Sequence, residues 1–301
     1  MAQPVAHNTY LPGYAPKQVQ HHEWRNAENS AAYLLPTLQQ KAKDNPQLAL
    51  LDVGAGSGTI TASLAKYMPQ GQITATDLSE EILPRAKEFA DQAGASNISF
   101  QQASVYELPF PEGSFDIVHA SMVLCHLDSP VQALKEMLRV AKPDGGIVAC
   151  RESDLRMWSY HPQLSGLEKT HKLLMAVHEA AGGSIDGGAK LVSWAMQANA
   201  TRDQITASFG TWCYSTPEER AIWGEWQRLD YTIWGVPYEA DSDSGNTMAE
   251  RVRHGGMRQK GLEMNITTET ELQEIAEAWD EWVATEDACL GCMHGEIIIT
   301  K

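Results

Sequence analysis

The sequence predicts an α/β protein built on a doubly wound parallel sheet, and three observations carry that prediction. A mostly apolar segment, Leu48 to Val53, runs straight into glycines at alternate positions, Gly54, Gly56 and Gly58, and a helical pattern follows from Thr59. Strand-like and helix-like segments then alternate through residues 46 to 155, the order that gives a parallel sheet with right-handed crossovers. The chain closes on a β-branched run, His294-Gly295-Glu296-Ile297-Ile298-Ile299-Thr300, suited to a final strand.

The elements follow in order. Residues 7 to 20, with Pro12, Gly13 and Pro16, read as extended and irregular, and Tyr10 and Tyr14 among them are candidates to close a lid. Residues 22 to 42 read as a helix, because Trp24, Ala27, Ala31, Leu34 and Leu35 recur near helical spacing; Pro36 is a point of kinking or restart. Leu48 to Val53 then forms a buried first strand, and the glycines form a turn whose backbone can approach a ligand closely. In an open α/β sheet, the carboxyl end of the first strand is where a nucleotide-like ligand sits. Gln72 to Thr76 reads as the second strand, closed by Asp77 about 20 residues past the turn, where a ribose-binding acid stands. The alternative role for Asp77 is to cap a helix beginning near Ser79.

Ile98 to Gln101 is the third strand, followed by Ala103, Ser104 and Val105. Ser114 to Ala120 is the fourth, leading into Ser121-Met122-Val123-Leu124-Cys125-His126-Leu127. Leu138 to Gly146 supplies a helix end and turn before strand five. Beyond Asp154 the pattern changes to helices near 165–181, 187–200, 217–234, 246–262 and 268–286, with strand six at Ile205 to Tyr214. The chain therefore divides into an N-terminal segment (1–45), a ligand-binding core (46–155) and a helical region carrying the last two strands (156–301).

Composition narrows the function. Hydrophobic content of 43% and charged content of 21% are those of a soluble globular chain. A net charge of −16 argues against nucleic acid or an acidic membrane surface as partner. The N-terminus lacks a basic segment followed by an apolar core, no run is long enough to cross a bilayer, and five cysteines are an odd count, so reduced thiols in the cytosol are expected. Cys289-Leu290-Gly291-Cys292 with His294 offers no second pair to complete four zinc ligands, and no metal is expected.

The spacing of the glycines selects among cofactors. Gly54-x-Gly56-x-Gly58 departs from the G-x-G-x-x-G of dinucleotide folds, and no Gly-Lys-Ser/Thr ending marks a triphosphate site. Asp52-Val53-Gly54-x-Gly56-x-Gly58, with Asp77, Ala103-Ser104-Val105, Ser114 to Ala120 and Leu138 to Gly146, resembles the class I S-adenosylmethionine-dependent methyltransferases of the ubiquinone/menaquinone-biosynthesis type. The resemblance covers residues 46 to 155. It implies a seven-stranded sheet with an antiparallel last strand and a helical cap, and S-adenosyl-L-methionine as cofactor. It also implies that Gly54, Ala55, Gly56, Gly58, Asp77, Leu78, Ala103, Ser104, Val105 and Ser121 hold that cofactor. The family often carries an acid where Ala103-Ser104 stand, so hydroxyl and backbone are expected to serve the adenine here. Arg25 could clamp the methionyl carboxylate with its planar guanidinium, or form a surface salt bridge.

The flanking text, notably His22-Glu23-Trp24-Arg25-Asn26-Ala27-Glu28-Asn29-Ser30 and the tryptophan-rich C-terminal half, resembles fungal secondary-metabolite members of the gliotoxin bis-thiomethyltransferase type. That implies a small-molecule acceptor, the two thiols of a reduced epidithiodioxopiperazine, methylated in succession. A thiol with a pKa near ~8.5 needs modest help, whereas carbon or phenolic oxygen usually needs a base. By location His126 is the first candidate base, with loop fixation as its alternative role. Met157, Trp158 and Trp194 are expected to line the acceptor pocket, and Arg151, Glu152, Ser153 and Asp154 either face the acceptor or form sheet-edge salt bridges. An O-, N- or C-methyltransferase of a quinone or phenol, and a non-catalytic cofactor-binding regulator, share the same motifs.

Overall fold

The computed structural model describes residues 22–223 and 256–301. The expected lid, with Tyr10 and Tyr14, and most of the helices expected at 217–234 and 246–262 fall outside those residues. The strands are β1 (Ala49–Val53), β2 (Gln72–Asp77), β3 (Ile98–Gln102), β4 (Ile117–Ser121), β5 (Ile147–His161), β6 (Ile205–Tyr214) and β7 (Cys289–Thr300). They form one seven-stranded sheet in the order β3-β2-β1-β4-β5-β7-β6. β7 runs antiparallel to both β5 and β6, and the β1–β5 pairings are parallel. β1 and β4 lie in the middle, covered on both faces, which is why they read as continuous apolar runs rather than alternating ones.

Helices α1 (Ala27–Ser30), α2 (Leu35–Asp44), α3 (Thr59–Ala65) and α4 (Leu83–Gln92) precede β3, and α5 (Pro130–Val140) precedes β5. The single N-terminal helix expected over 22–42 is two helices. A reciprocal Asn26–Asn29 capping box starts α1, and Pro36, which lacks an N–H, sits in the first turn of α2, where a missing donor costs nothing. Leu34, Leu38 and Leu64 pack on Leu50, Ile73, Ile117 and Ile147 to build one face of the core. The opposite face carries α5 and α7 (Gly187–Gln197).

α6 (Ser165–Ala180), α8 (Pro217–Trp223), α9 (Gly256–Glu263) and α10 (Glu269–Ala284) complete the described helices. β5 is long: past a register shift between Ser153 and Trp158 its far half pairs with Cys289–Cys292 of β7. α6 and α10 wrap that extension around fully buried Trp279 and Trp282, forming a cap with its own core. Burying an aromatic side chain contributes about 1.5–3 kcal/mol, so the tryptophans mainly hold the cap together.

One sequence expectation is corrected here. Trp194, expected to line the acceptor pocket, is 7% exposed and belongs with Leu191, Val148 and Ile297 to the core of the α5–α7 face. An apolar stripe on a face-packed helix and one on a pocket wall look alike in sequence. Strand seven begins at Cys289, ahead of the β-branched run, and Cys289 and Cys292, three apart on a strand, point to opposite faces. They could not grip one ion together.

Candidate active site

The glycine turn joins β1 to α3. Gly54, Gly56 and Gly58 adopt φ of +68°, +56° and +77°, a region that side chains other than glycine rarely enter. A Cβ on Gly54 would meet Val123 Cγ2 at 2.5 Å, and one on Gly58 would meet Ala86 Cβ at 2.8 Å. A Cβ on Gly56 would meet nothing within 4 Å, so this glycine borders open space. The turn is anchored beneath by Asp52, whose Oδ2 accepts from Thr61 Oγ1 at 2.5 Å and whose Oδ1 lies 2.8 Å from His119 Nδ1. One buried carboxylate therefore ties β1, β4 and α3 together, a network no spacing in the sequence announces.

Asp77 ends β2 beside this turn. Its Oδ2 accepts from Gly56 N at 3.0 Å and its Oδ1 from Ser79 N at 3.0 Å, so the carboxylate braces both turns, while the short helix beyond has Ser79 at its N-cap and no side-chain cap bond. Burial pushes the Asp77 carboxyl up, while the N–H groups of Ser79, Gly56 and Leu78 draw it down. Leu78 stands 54% exposed next to it, an apolar side chain left open by the described residues. Ala103 N donates to Asp77 O at 2.9 Å, and Ser104 Oγ accepts from Tyr106 N at 3.3 Å, bringing that turn alongside.

The loop after β4 closes the crevice from the other side. Met122 has a positive φ of 58°, strained for a side chain of its type, and its N–H donates to Arg151 O at 2.8 Å. The loop is held from below by Glu152, which is fully buried. Its Oε1 accepts from Val123 N at 3.1 Å and Leu124 N at 2.9 Å, and its Oε2 from Cys125 N at 3.0 Å. Burial pushes Glu152 up and these three donors pull it back. Glu152 is thus turned away from any acceptor; it sets the height of Val123 over Gly54. Asp154 is likewise committed, paired with Arg156 at 2.7 Å, and Arg151 pairs with Glu296 at 3.3 Å. Both form salt bridges, Asp154 with its whole carboxylate and Arg151 through Nε alone.

His126 lies in the same loop, its ring 5.1 Å from that of His178. Burial, with His178 and Arg25 as positive neighbours, pushes its imidazole down to about 3. Cys125, His126 and His178 bring ligand-type atoms within 4.8 Å of one another, yet His178 Nε2 already meets Cys125 O at 2.9 Å and burial holds the Cys125 thiol well above its ordinary range. Arg25 stands over the Trp212 ring at 4.8 Å and exerts its charge on His126, Arg151 and His294, which places it at the β4–β5–β7 end of the sheet. Trp24 packs on Trp212 and Tyr214, and Trp212 Nε1 donates to Asn29 O at 2.8 Å, so the N-terminal segment docks on β6. Met157 is 46% exposed in the irregular stretch of β5, and Trp158 stacks on His171 at 5.1 Å against the cap.

An adenosyl ligand needs backbone room at the first turn, a carboxylate for two ribose hydroxyls, an apolar flank for the base and unpaired polar groups at its far end. Gly56, Asp77 and Leu78 offer the first three in sequence. Ser121 Oγ, buried without a hydrogen-bond partner at the end of β4, offers the fourth. The crevice therefore fits S-adenosylmethionine, and the fold and crevice together define a class I cofactor-binding enzyme.

Comparison with known proteins agrees. The family model for a methyltransferase domain matches residues 51–149. An uncharacterized methyltransferase of Schizosaccharomyces pombe is 31% identical over 312 residues, covering 100% of this chain and 99% of that one. A protein of Aspergillus luteorubrus named "Probable methyltransferase ltbC" is 30% identical over 322 residues, covering 98% of each. A ubiquinone/menaquinone biosynthesis C-methyltransferase of Bdellovibrio bacteriovorus is 34% identical over 128 residues, but only 42% of this chain and 50% of that one. A solved structure from Bacillus halodurans shares the fold, with a TM-score of 0.51 at 15% identity over 89% of this chain and 98% of that one. The chain belongs to the class I S-adenosylmethionine-dependent methyltransferases, with S-adenosylmethionine as its methyl donor. No helix among the described residues is long and apolar enough to cross a membrane.

Proposed function

We propose that the protein methylates sulfur on a small organic acceptor, with the two thiols of a reduced epidithiodioxopiperazine as its preferred class. The observation that carries this reading is the weakness of the base beside the reacting end. An imidazole held near 3 is neutral at physiological pH but is a poor proton acceptor from a phenol or carbon acid. A thiol is a few per cent thiolate at pH 7 without assistance and is intrinsically nucleophilic. The whole-length likeness to a protein named as a probable methyltransferase supports methyl transfer itself.

The bound cofactor supplies an activated methyl group. The protein's own part is positioning and exclusion of water. Asp77 receives the ribose hydroxyls, Gly54, Ala55, Gly56 and Gly58 shape the turn beneath the donor, and Leu78, Ala103, Ser104 and Val105 flank the base. Ser121 and Arg25 hold the methionyl end. His126, kept neutral, packs the loop that closes over the transfer site rather than moving a proton. Replacing it with Ala is therefore expected to keep kcat within about tenfold of wild type, where loss of a working general base costs about 10²–10⁴. The pH profile of both proteins should rise toward the acceptor thiol's pKa near ~8.5 with no limb from His126 between pH 5 and 8. Steady-state rates across that range test both statements.

The acceptor class is tested by kcat/KM for a reduced dithiol dioxopiperazine against a phenol, a hydroquinone and an amine of similar size. The dithiol should exceed the others by about 100-fold or more and accept a second methyl after the first. Preference for the phenol or hydroquinone would assign an O- or C-methyltransferase, and cofactor binding with no turnover on any of them a regulator.

A further inference from the structure

Between the N-terminal segment and the end of the sheet lies a cavity of about 640 Å³, large enough for a small organic molecule. Trp24 and Tyr33 line one side, Arg151 and Glu296 another, and Ser208 and Trp212 border it along β6. Two of these side chains carry hydrogen-bonding capacity that the protein leaves unused. Arg151 is 1% exposed; its guanidinium lies 4.4 Å over the Trp212 ring and its Nε 3.3 Å from Glu296, while Nη1 is buried without a partner. Tyr33 Oη is also buried without a partner. Buried donors are nearly always satisfied, so two unsatisfied donors on residues lining one cavity require an explanation.

We propose that this cavity is the acceptor site and that it takes a flat, uncharged molecule presenting a carbonyl oxygen to Arg151 and Tyr33, a proposal that rests on the methyl-transfer reading above. The flat body is argued from the aromatic lining: Trp24 and Trp212, packed edge to face on each other, offer ring surface against which a ring system can lie. The absence of charge follows from the acids. Arg151 is already faced by Glu296, and Glu28 and Glu219 also line the space, so a carboxylate would meet three acids against Arg151 on the wall and Arg25 over Trp212. A lactam or quinone carbonyl satisfies the donors without that repulsion. The location suits transfer. Arg151 is the register partner of Ser121, and its carbonyl receives Met122 N, so the cavity begins one strand, roughly 4.8 Å, from the loop that closes over the donor.

Ala32 lines the cavity and is exposed, so Ala32→Trp fills the space without entering the core. The probe is a benzyl-substituted 2,5-dioxopiperazine carrying no sulfur, titrated by calorimetry. Wild type should bind it, Ala32→Trp should weaken it at least about tenfold, and Tyr33→Phe about 2–10-fold, the range for one lost hydrogen bond. Both variants should bind S-adenosylhomocysteine as wild type does, and benzoate should not bind. Unchanged probe affinity in Ala32→Trp, no binding to wild type, or preference for benzoate would each overturn the proposal. The probe has no thiol, so the two readings fail separately. Dithiol methylation by Ala32→Trp at the wild-type KM removes the cavity assignment and leaves sulfur as acceptor. Probe binding without methylation of any thiol does the reverse.

Discussion

Replacing Asp77 with Ala is expected to weaken S-adenosylhomocysteine binding by at least about 100-fold. Each hydrogen bond from a ribose hydroxyl to a carboxylate is worth about 1.5–3 kcal/mol, and two are lost together. The change also strips the acceptor from Gly56 N and Ser79 N, so the turn that shapes the site keeps only its backbone tie to β2, from Ala55 N to Thr76 O. Asp77→Asn should fall between, because an amide can accept on one side only. Calorimetric titration decides it, and near-normal affinity in Asp77→Ala removes the ribose assignment. Because burial raises this carboxyl, affinity should also decline on acidification at a pH above the ordinary Asp value of ~3.9, since only the ionised form accepts from both hydroxyls.

Replacing Glu152 with Ala should produce the largest loss of stability of any single change near the site. Three backbone N–H groups would be left without an acceptor, those of Leu124 and Cys125 fully buried and that of Val123 partly buried. Orphaned donors cost about 1–3 kcal/mol each, and partial relaxation of the loop brings the expected total to roughly 3–5 kcal/mol. Glu152→Gln keeps the shape but turns one acceptor into a donor, and should lose about half as much. In the Gln variant kcat should fall more than cofactor affinity, because the loop it positions touches Gly54 through Val123 but carries the transfer end of the site. Denaturant unfolding and single-turnover rates measure the two effects; equal losses of kcat and affinity would mark Glu152 as structural alone.

Much of the fold was legible because its signals are local. The Leu48–Val53 run, the alternate glycines and the Ile205–Tyr214 strand each follow from periodicity or backbone permissiveness, and each stands where expected. Asp77 was legible because its distance from the turn is fixed by one strand–helix–strand unit. What the sequence hid depends on contacts between distant segments. The start of α1 at Ala27 rather than residue 22 is set by the Asn26 capping box, which competes with an otherwise continuous helical pattern, whereas the restart of α2 falls at Pro36, where the sequence allowed it. Trp194 belongs to a helix packed on the sheet face, and nothing in its spacing separates that from a pocket wall. Glu152 looked like an acceptor-facing acid because strand ends carry such groups, but its side chain turns under the preceding loop, 27 to 29 residues away in sequence. The cavity residues Tyr33, Arg151 and Glu296 come from three separate elements, so no motif unites them.

The central claim, transfer of a methyl group from this crevice to sulfur, is tested most directly by following the methyl itself. One turnover with ¹³C-methyl-labelled S-adenosylmethionine and a reduced dithiol dioxopiperazine, read by ¹³C NMR, reports the atom that receives it. The account predicts a methyl resonance on sulfur together with one equivalent of S-adenosylhomocysteine. A methyl on oxygen, nitrogen or carbon, or labelled cofactor recovered intact from the complex, would contradict it.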